Sequence, residues 1–186
     1  MEYEIVAQPS SAMVKVYLKS GETISVESGS MVAMSGELQI QTKSRGLFRA
    51  MAAMENVYLN QFTAQTDASI WFAPSLPGDI RYITLQDKGL IVASSAYLAH
   101  HGEINQEIVW RGLKGFMGGG GLLWLRLRGQ GGVWVNSCGA IEEKEVKPGE
   151  KLVVDNLHLV CMDDTLEYEV RRFGSFRSFL LGGDGD

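Results

Sequence analysis

Apolar and polar residues alternate with a period of two over much of this chain. Val14, Val16 and Leu18 interleave with Lys15, Tyr17 and Lys19, so on an extended backbone one row turns inward and the other toward solvent. The same spacing puts Leu38 and Ile40, Ile104 and Ile108, and Leu166, Tyr168 and Val170 on inward rows, with Glu, Gln, Asn and Arg between them. Half-buried strands are therefore predicted nearly everywhere.

Three of these stretches are copies of one another. ISVESGSMVAMSGELQIQTKSRG at 24–46, LIVASSAYLAHHGEINQEIVWRG at 90–112 and LVVDNLHLVCMDDTLEYEVRRFG at 152–174 align with offsets of 66 and 62 residues, which makes Leu38, Ile104 and Leu166 equivalent. A period this long predicts three β units around one shared core, not a thin solenoid. The units run over about 20–80, 88–141 and 148–186 of a single domain, 1–186. Each copy ends on an RG or FG step and leads into an apolar segment, and the first of these, LFRAMAAM at 47–54, has the composition for two helical turns. Second hairpins follow at 57–74 and 122–139, with Trp71 taken as equivalent to Trp134 and GQGG at 129–132 as a hairpin loop. The third unit reaches LLGGDGD before its second hairpin would begin; the pattern predicts that it is truncated, the alternative being that another chain completes it.

Composition narrows the function more than the fold. The apolar share of 45% with 21% charged residues is ordinary for a globular domain. The net charge is −5 and the basic residues are scattered among acidic ones, which argues against nucleic-acid binding. The amino terminus is acidic where a signal peptide is basic, and no apolar run approaches a membrane span. Cys138 and Cys161 lie in apolar surroundings without a CxxC spacing, the expected pattern of two reduced core thiols in a cytoplasmic protein.

The opening MEYEIVAQPSSAMVKVYLKSGETISVESGSMVAMSG, the segment APSLPGDI at 73–80, GLKGFMGGGGLLWLRLRGQGGVWVNSCGAI at 112–141 and the closing LEYEVRRFGSF resemble the family of bacterial and archaeal proteins related to the fungal altered-inheritance-of-mitochondria protein. The resemblance covers the whole chain and contains no catalytic signature. It implies a mainly β, TRAP-like fold: a β-sandwich or double-stranded β-helix similar in shape to the tryptophan RNA-binding attenuation protein, here with one or more short helices. It also implies a homo-oligomer, with a trimer as one form. It carries no RNA binding with it, because this chain is acidic and has no basic, base-stacking edge.

The remaining chemistry is sparse. His100 and His101 with Glu103 are neighbours in sequence, but adjacent strand residues point to opposite faces and do not converge on one ion. Asp163, Asp164, Glu167 and Glu169 are expected on a solvated face, not as a catalytic carboxylate pair. Ser28, Ser30, Ser94 and Ser95 lie in no nucleophile elbow. Gly118 to Gly121 lacks the Lys-Ser/Thr of a phosphate loop. No catalytic residue, cofactor or metal is predicted, and the chain is read as a non-enzyme. Functional weight falls on the apolar segments, Leu47, Phe48 and Met51, Leu113, Phe116 and Met117, and Phe176, Phe179 and Leu180. The repeat would gather them at one end, to plug the core, meet another subunit or touch a membrane surface. The reading is a homo-oligomeric scaffold or interaction protein with a protein or peripheral membrane partner. The alternative is a small-ligand module with an apolar pocket between repeats lined by Trp71, Tyr97, Trp124 and Trp134.

Overall fold

A computed structural model of the protein describes residues 1–44, 58–111, 123–155 and 157–169. The predicted alternation becomes antiparallel sheet. β1 (Glu2–Val6), β2 (Met13–Leu18), β3 (Thr23–Glu27), β4 (Met31–Ser35), β5 (Leu38–Ser44), β6 (Tyr58–Ala64) and β7 (Ala68–Phe72) precede β8 (Ile80–Gln86), β9 (Leu90–Ala93), β10 (Tyr97–Arg111), β11 (Leu123–Asn136) and β12 (Cys161–Asp163). One sheet has the order β1-β2-β7-β4; the other runs β12-β9-β11-β10-β3-β6-β5, with β8 added on β11. The fold is thus mainly β, and the helical structure among the described residues is a 3-10 turn at Ser94–Ala96. The expected helix at 47–54 lies outside the described residues.

Val14, Val16 and Leu18 are buried as their spacing requires. They join Ile24, Val26, Phe62, Ile70, Phe72 and Trp134 in one apolar cluster. A second cluster gathers Leu90, Ile91, Val92, Tyr97, Trp124, Leu125, Val133 and Val135. The single shared core expected from the repeat is therefore two adjoining clusters. β11 explains the split: Trp134 faces the first cluster while Val133 and Val135 face the second. A strand buried on both faces reads as a continuous apolar run, here VWV.

The GQGG segment is not a hairpin loop. β11 passes straight through it, pairing Gly129 with Ile104 and Gly131 with Gly102. A Cβ on Gly129 would meet the Glu103 carbonyl at 1.9 Å, and one on Gly131 the His101 carbonyl at 2.0 Å. These glycines serve a close approach of two backbones, with positive φ of 136° and 152°. Trp71 and Trp134 are not structural equivalents either. Trp134 pairs with Tyr82 across β8 as Ile70 pairs with Val16 across β2, and Trp71 sits one residue out of step on the outer face beneath Lys15, 5.0 Å from its ring centre. One residue of register reverses the face of a strand.

The third unit departs furthest from expectation. Residues 152–155 and 166–169 form no strand, and β12 is the third unit's one strand among the described residues. Leu166 and Tyr168 are exposed, because a turn in which the Leu166 N–H donates to the Asp163 carbonyl at 3.2 Å ends the ladder. Ile40 is also exposed, since β5 is the outermost strand of its sheet among the described residues.

Candidate functional site

A shallow cleft of about 410 Å³ opens where β3 meets β10, lined by Met1, Glu22, Thr23, Ser25, Gln61, His100 and His101 among others. The ladder that builds it pairs His100 with Ser25 and His101 with Ile24. The two imidazoles diverge, as adjacent strand residues must. His101 Nε2 is hydrogen-bonded to the Tyr82 hydroxyl at 2.9 Å, and its ring lies parallel to that of Tyr82 and 5.5 Å from Trp134. His100 turns to the other side, where its Nδ1 is hydrogen-bonded to the Tyr97 hydroxyl and lies 3.0 Å from Gln106 Nε2. Glu103 is exposed. Among the described residues no three His, Cys, Asp or Glu side chains are grouped to hold a metal.

Glu22 is the charged anchor of the cleft. Its Oε2 accepts from the Lys19 N–H at 2.8 Å, and its Oε1 pairs with the terminal ammonium of Met1 at 3.0 Å. The backbone hydrogen bond first, with the ammonium, holds its carboxyl below the ordinary range. Burial, and after it the repulsion of the same ammonium, lowers the His101 pKa, while Glu22 acts in the opposite sense. A histidine held down in the folded state stabilises the fold at pH above its unfolded value, and the contribution is lost as pH falls through the folded one. Stability, read as a urea midpoint, is expected to fall between about pH 7 and about pH 5, and to fall less in His101→Gln. Equal slopes in the two proteins would remove His101 as the source.

The arrangement offers a carboxylate, a neutral imidazole, an ammonium and hydroxyl and amide groups to a small polar molecule. Sequence reasoning missed Glu22 and Tyr82, because the β3–β10 and β8–β11 ladders that bring them to His101 join distant parts of the chain. The residues expected to line an apolar pocket are not brought together. Tyr97 and Trp124 belong to the second cluster and Trp134 to the first, while Trp71 lies on the outer face. The apolar segments containing Leu47, Phe48 and Met51, Leu113, Phe116 and Met117, and Phe176, Phe179 and Leu180 lie outside the described residues, as does Gly118 to Gly121.

Two expectations about single residues change. Cys138 is exposed and not a core thiol, because it follows β11 in a surface turn; Cys161 is partly buried, and both are free. Burial, then Asp163 and Glu143, push the Cys161 thiol up to about 11, so it is a poor nucleophile near neutrality. Asp164 is not on a solvated face. Its side chain is 5% exposed and paired with Arg128 and Arg126, packed where a Cβ on Gly89 would collide with its carboxylate. This ion cluster fastens the third unit to β9 and β11.

The fold and its accessible chemistry define an antiparallel two-sheet β protein with a polar surface cleft. The chain belongs to the mitochondrial biogenesis AIM24 family, whose profile matches residues 3–185. It is 26% identical over 186 residues to an uncharacterised protein of Streptococcus pyogenes serotype M6, a match covering 93% of this chain and 75% of that one. The crystal structure of a Streptococcus pyogenes protein, a structural genomics target, is similar with a TM-score of 0.82 at 26% identity, covering 99% of this chain and 86% of its own. Among the described residues no helix is long and apolar enough to cross a membrane.

Proposed function

We propose that this chain is a non-enzymatic scaffold or interaction protein of the cytoplasm that assembles with copies of itself and presents apolar strand surface to its partner. The observation that carries the reading is β4. Among the described residues it is an edge strand, paired only with β7; its sequence MVAMS has no charge, and Met31, Val32 and Met34 are 40%, 55% and 46% exposed. Edge strands that stay single are usually blunted by charge or proline. The other edge of the same sheet, β1, carries Glu2 and Glu4. The acidic net charge supports a protein partner over nucleic acid, and two free cysteines suit a reducing compartment.

Native mass spectrometry of the intact chain is expected to show a multimer that falls to monomer in Met34→Glu. A monomer at all concentrations up to tens of micromolar, about the range of weak self-association, would sink the reading. The cleft at Glu22 and His101 supports a second reading, a module for a small polar ligand. A fixed extra mass per chain, absent in His101→Ala, is its signature in the same spectrum.

A further inference from the structure

Two short ladders join successive units of this molecule, and they share one register. β10 pairs with β3 as Ala99↔Val26, His100↔Ser25 and His101↔Ile24. β12 pairs with β9 as Cys161↔Val92, Met162↔Ile91 and Asp163↔Leu90. Shifting the β10 residues by the sequence offset of 62, and the β3 residues by 66, turns each pair of the first ladder into a pair of the second. Applying the same offsets once more, to the first and third units, gives a third ladder: Ala33↔Val154, Met34↔Val153 and Ser35↔Leu152.

That ladder does not exist within the chain. Among the described residues β4 has β7 on one side and no strand on the other. Leu152, Val153 and Val154 are in no strand and are 49%, 72% and 41% exposed. Leu-Val-Val has the residue types a strand prefers, and β4 has the uncharged flank that would accept it. At the ends of this register Asp155 falls opposite Val32, and Lys151 falls opposite Gly36, beside the exposed Glu37. From Val32 to Gly36 no like charges are set against each other; the first like pair, Glu37 with Glu150, falls beyond the end of β4.

We infer that β4 of one copy receives Leu152–Val154 of a second copy as an added antiparallel strand, Met34 opposite Val153, and that the exchange is reciprocal. Each chain displays a donor and an acceptor together, neither paired on that flank among the described residues. A two-fold pair satisfies all four elements with one self-complementary contact, which closes the assembly. The inference rests on the self-assembly proposed above and names its contact.

The test mixes two full-length proteins under mild oxidation, one carrying Met34→Cys and the other Val153→Cys, both with the exposed Cys138 changed to Ser. Circular dichroism of each confirms folding. A disulfide-linked species of twice the chain mass is expected only in the mixture, forming at least about tenfold faster than with Val154→Cys, whose side chain points to the other face. A multimer in the native spectrum with no cross-link in the mixture would overturn the strand exchange and leave the scaffold reading standing. A chain carrying both substitutions that closes an internal disulfide at monomer mass would place the ladder inside one chain and overturn the second copy. A protein monomeric throughout would remove both.

Discussion

Trp134→Ala is expected to lower the free energy of unfolding by about 3–5 kcal/mol, the range for emptying a large aromatic site in a packed core. Trp134 is fully buried and sits edge-on to Phe72 and Tyr3, with the ring of Tyr82 5.0 Å and that of His101 5.5 Å away. Those partners come from β7, β1, β8 and β10, so the cavity would loosen the joint between both sheets. Trp134→Phe should cost far less, because it keeps most of the ring contact and deletes an indole N–H that is buried without a hydrogen-bond partner. Urea titration followed by circular dichroism measures both. An Ala variant within about 1 kcal/mol of the parent would contradict the packing described, since core truncations rarely cost so little.

Asp79→Ala should destabilise by roughly 3 kcal/mol for a different reason: it strands buried donors. The carboxylate is fully buried. Its Oδ1 accepts from Gln8 Nε2 and from the Ile80 N–H, each at 2.9 Å. Its Oδ2 accepts from the Ile141 N–H at 3.4 Å and pairs with Arg81 Nε at 3.3 Å. The backbone of Asp79 adds bonds to Gly139 and Ser137. One side chain thus ties the start of the chain, the approach to β8 and the segment after β11. Arg81 is half exposed, so its ion pair contributes little and the amides carry the loss. Amide hydrogen exchange should show Ile141 opening first; uniform loss of protection would mean that Asp79 acts through global stability alone.

How far the sequence could be read depended on whether a residue's partner lay nearby. The alternation at Val14, Val16 and Leu18 gave β2 and its inward row correctly, because a two-residue period is a local signal. The mainly β fold followed from the same signal and from the family resemblance. What failed was non-local. Glycine in GQGG reads as a turn when only its own φ is considered, yet the deciding contacts are with Glu103 and His101 carbonyls about thirty residues earlier. Trp71 and Trp134 looked equivalent within one residue, and one residue reverses a strand's face. The cleft was half legible: His100 and His101 stood out, but Glu22 and Tyr82 reach them through ladders that spacing does not encode. Asp164 looked solvated because Arg126 and Arg128 meet it from another strand.

β10 and β11 are shared between the two apolar clusters. Tyr97 goes to one and Leu98 and Ala99 to the other; Trp134 is flanked by Val133 and Val135 facing the opposite way. A cut between β10 and β11 would therefore divide both clusters, since each takes side chains from both strands. Among the described residues there is no seam between those two strands. A further module could be grafted beside this pair of strands, but the pair cannot be parted without opening both interiors.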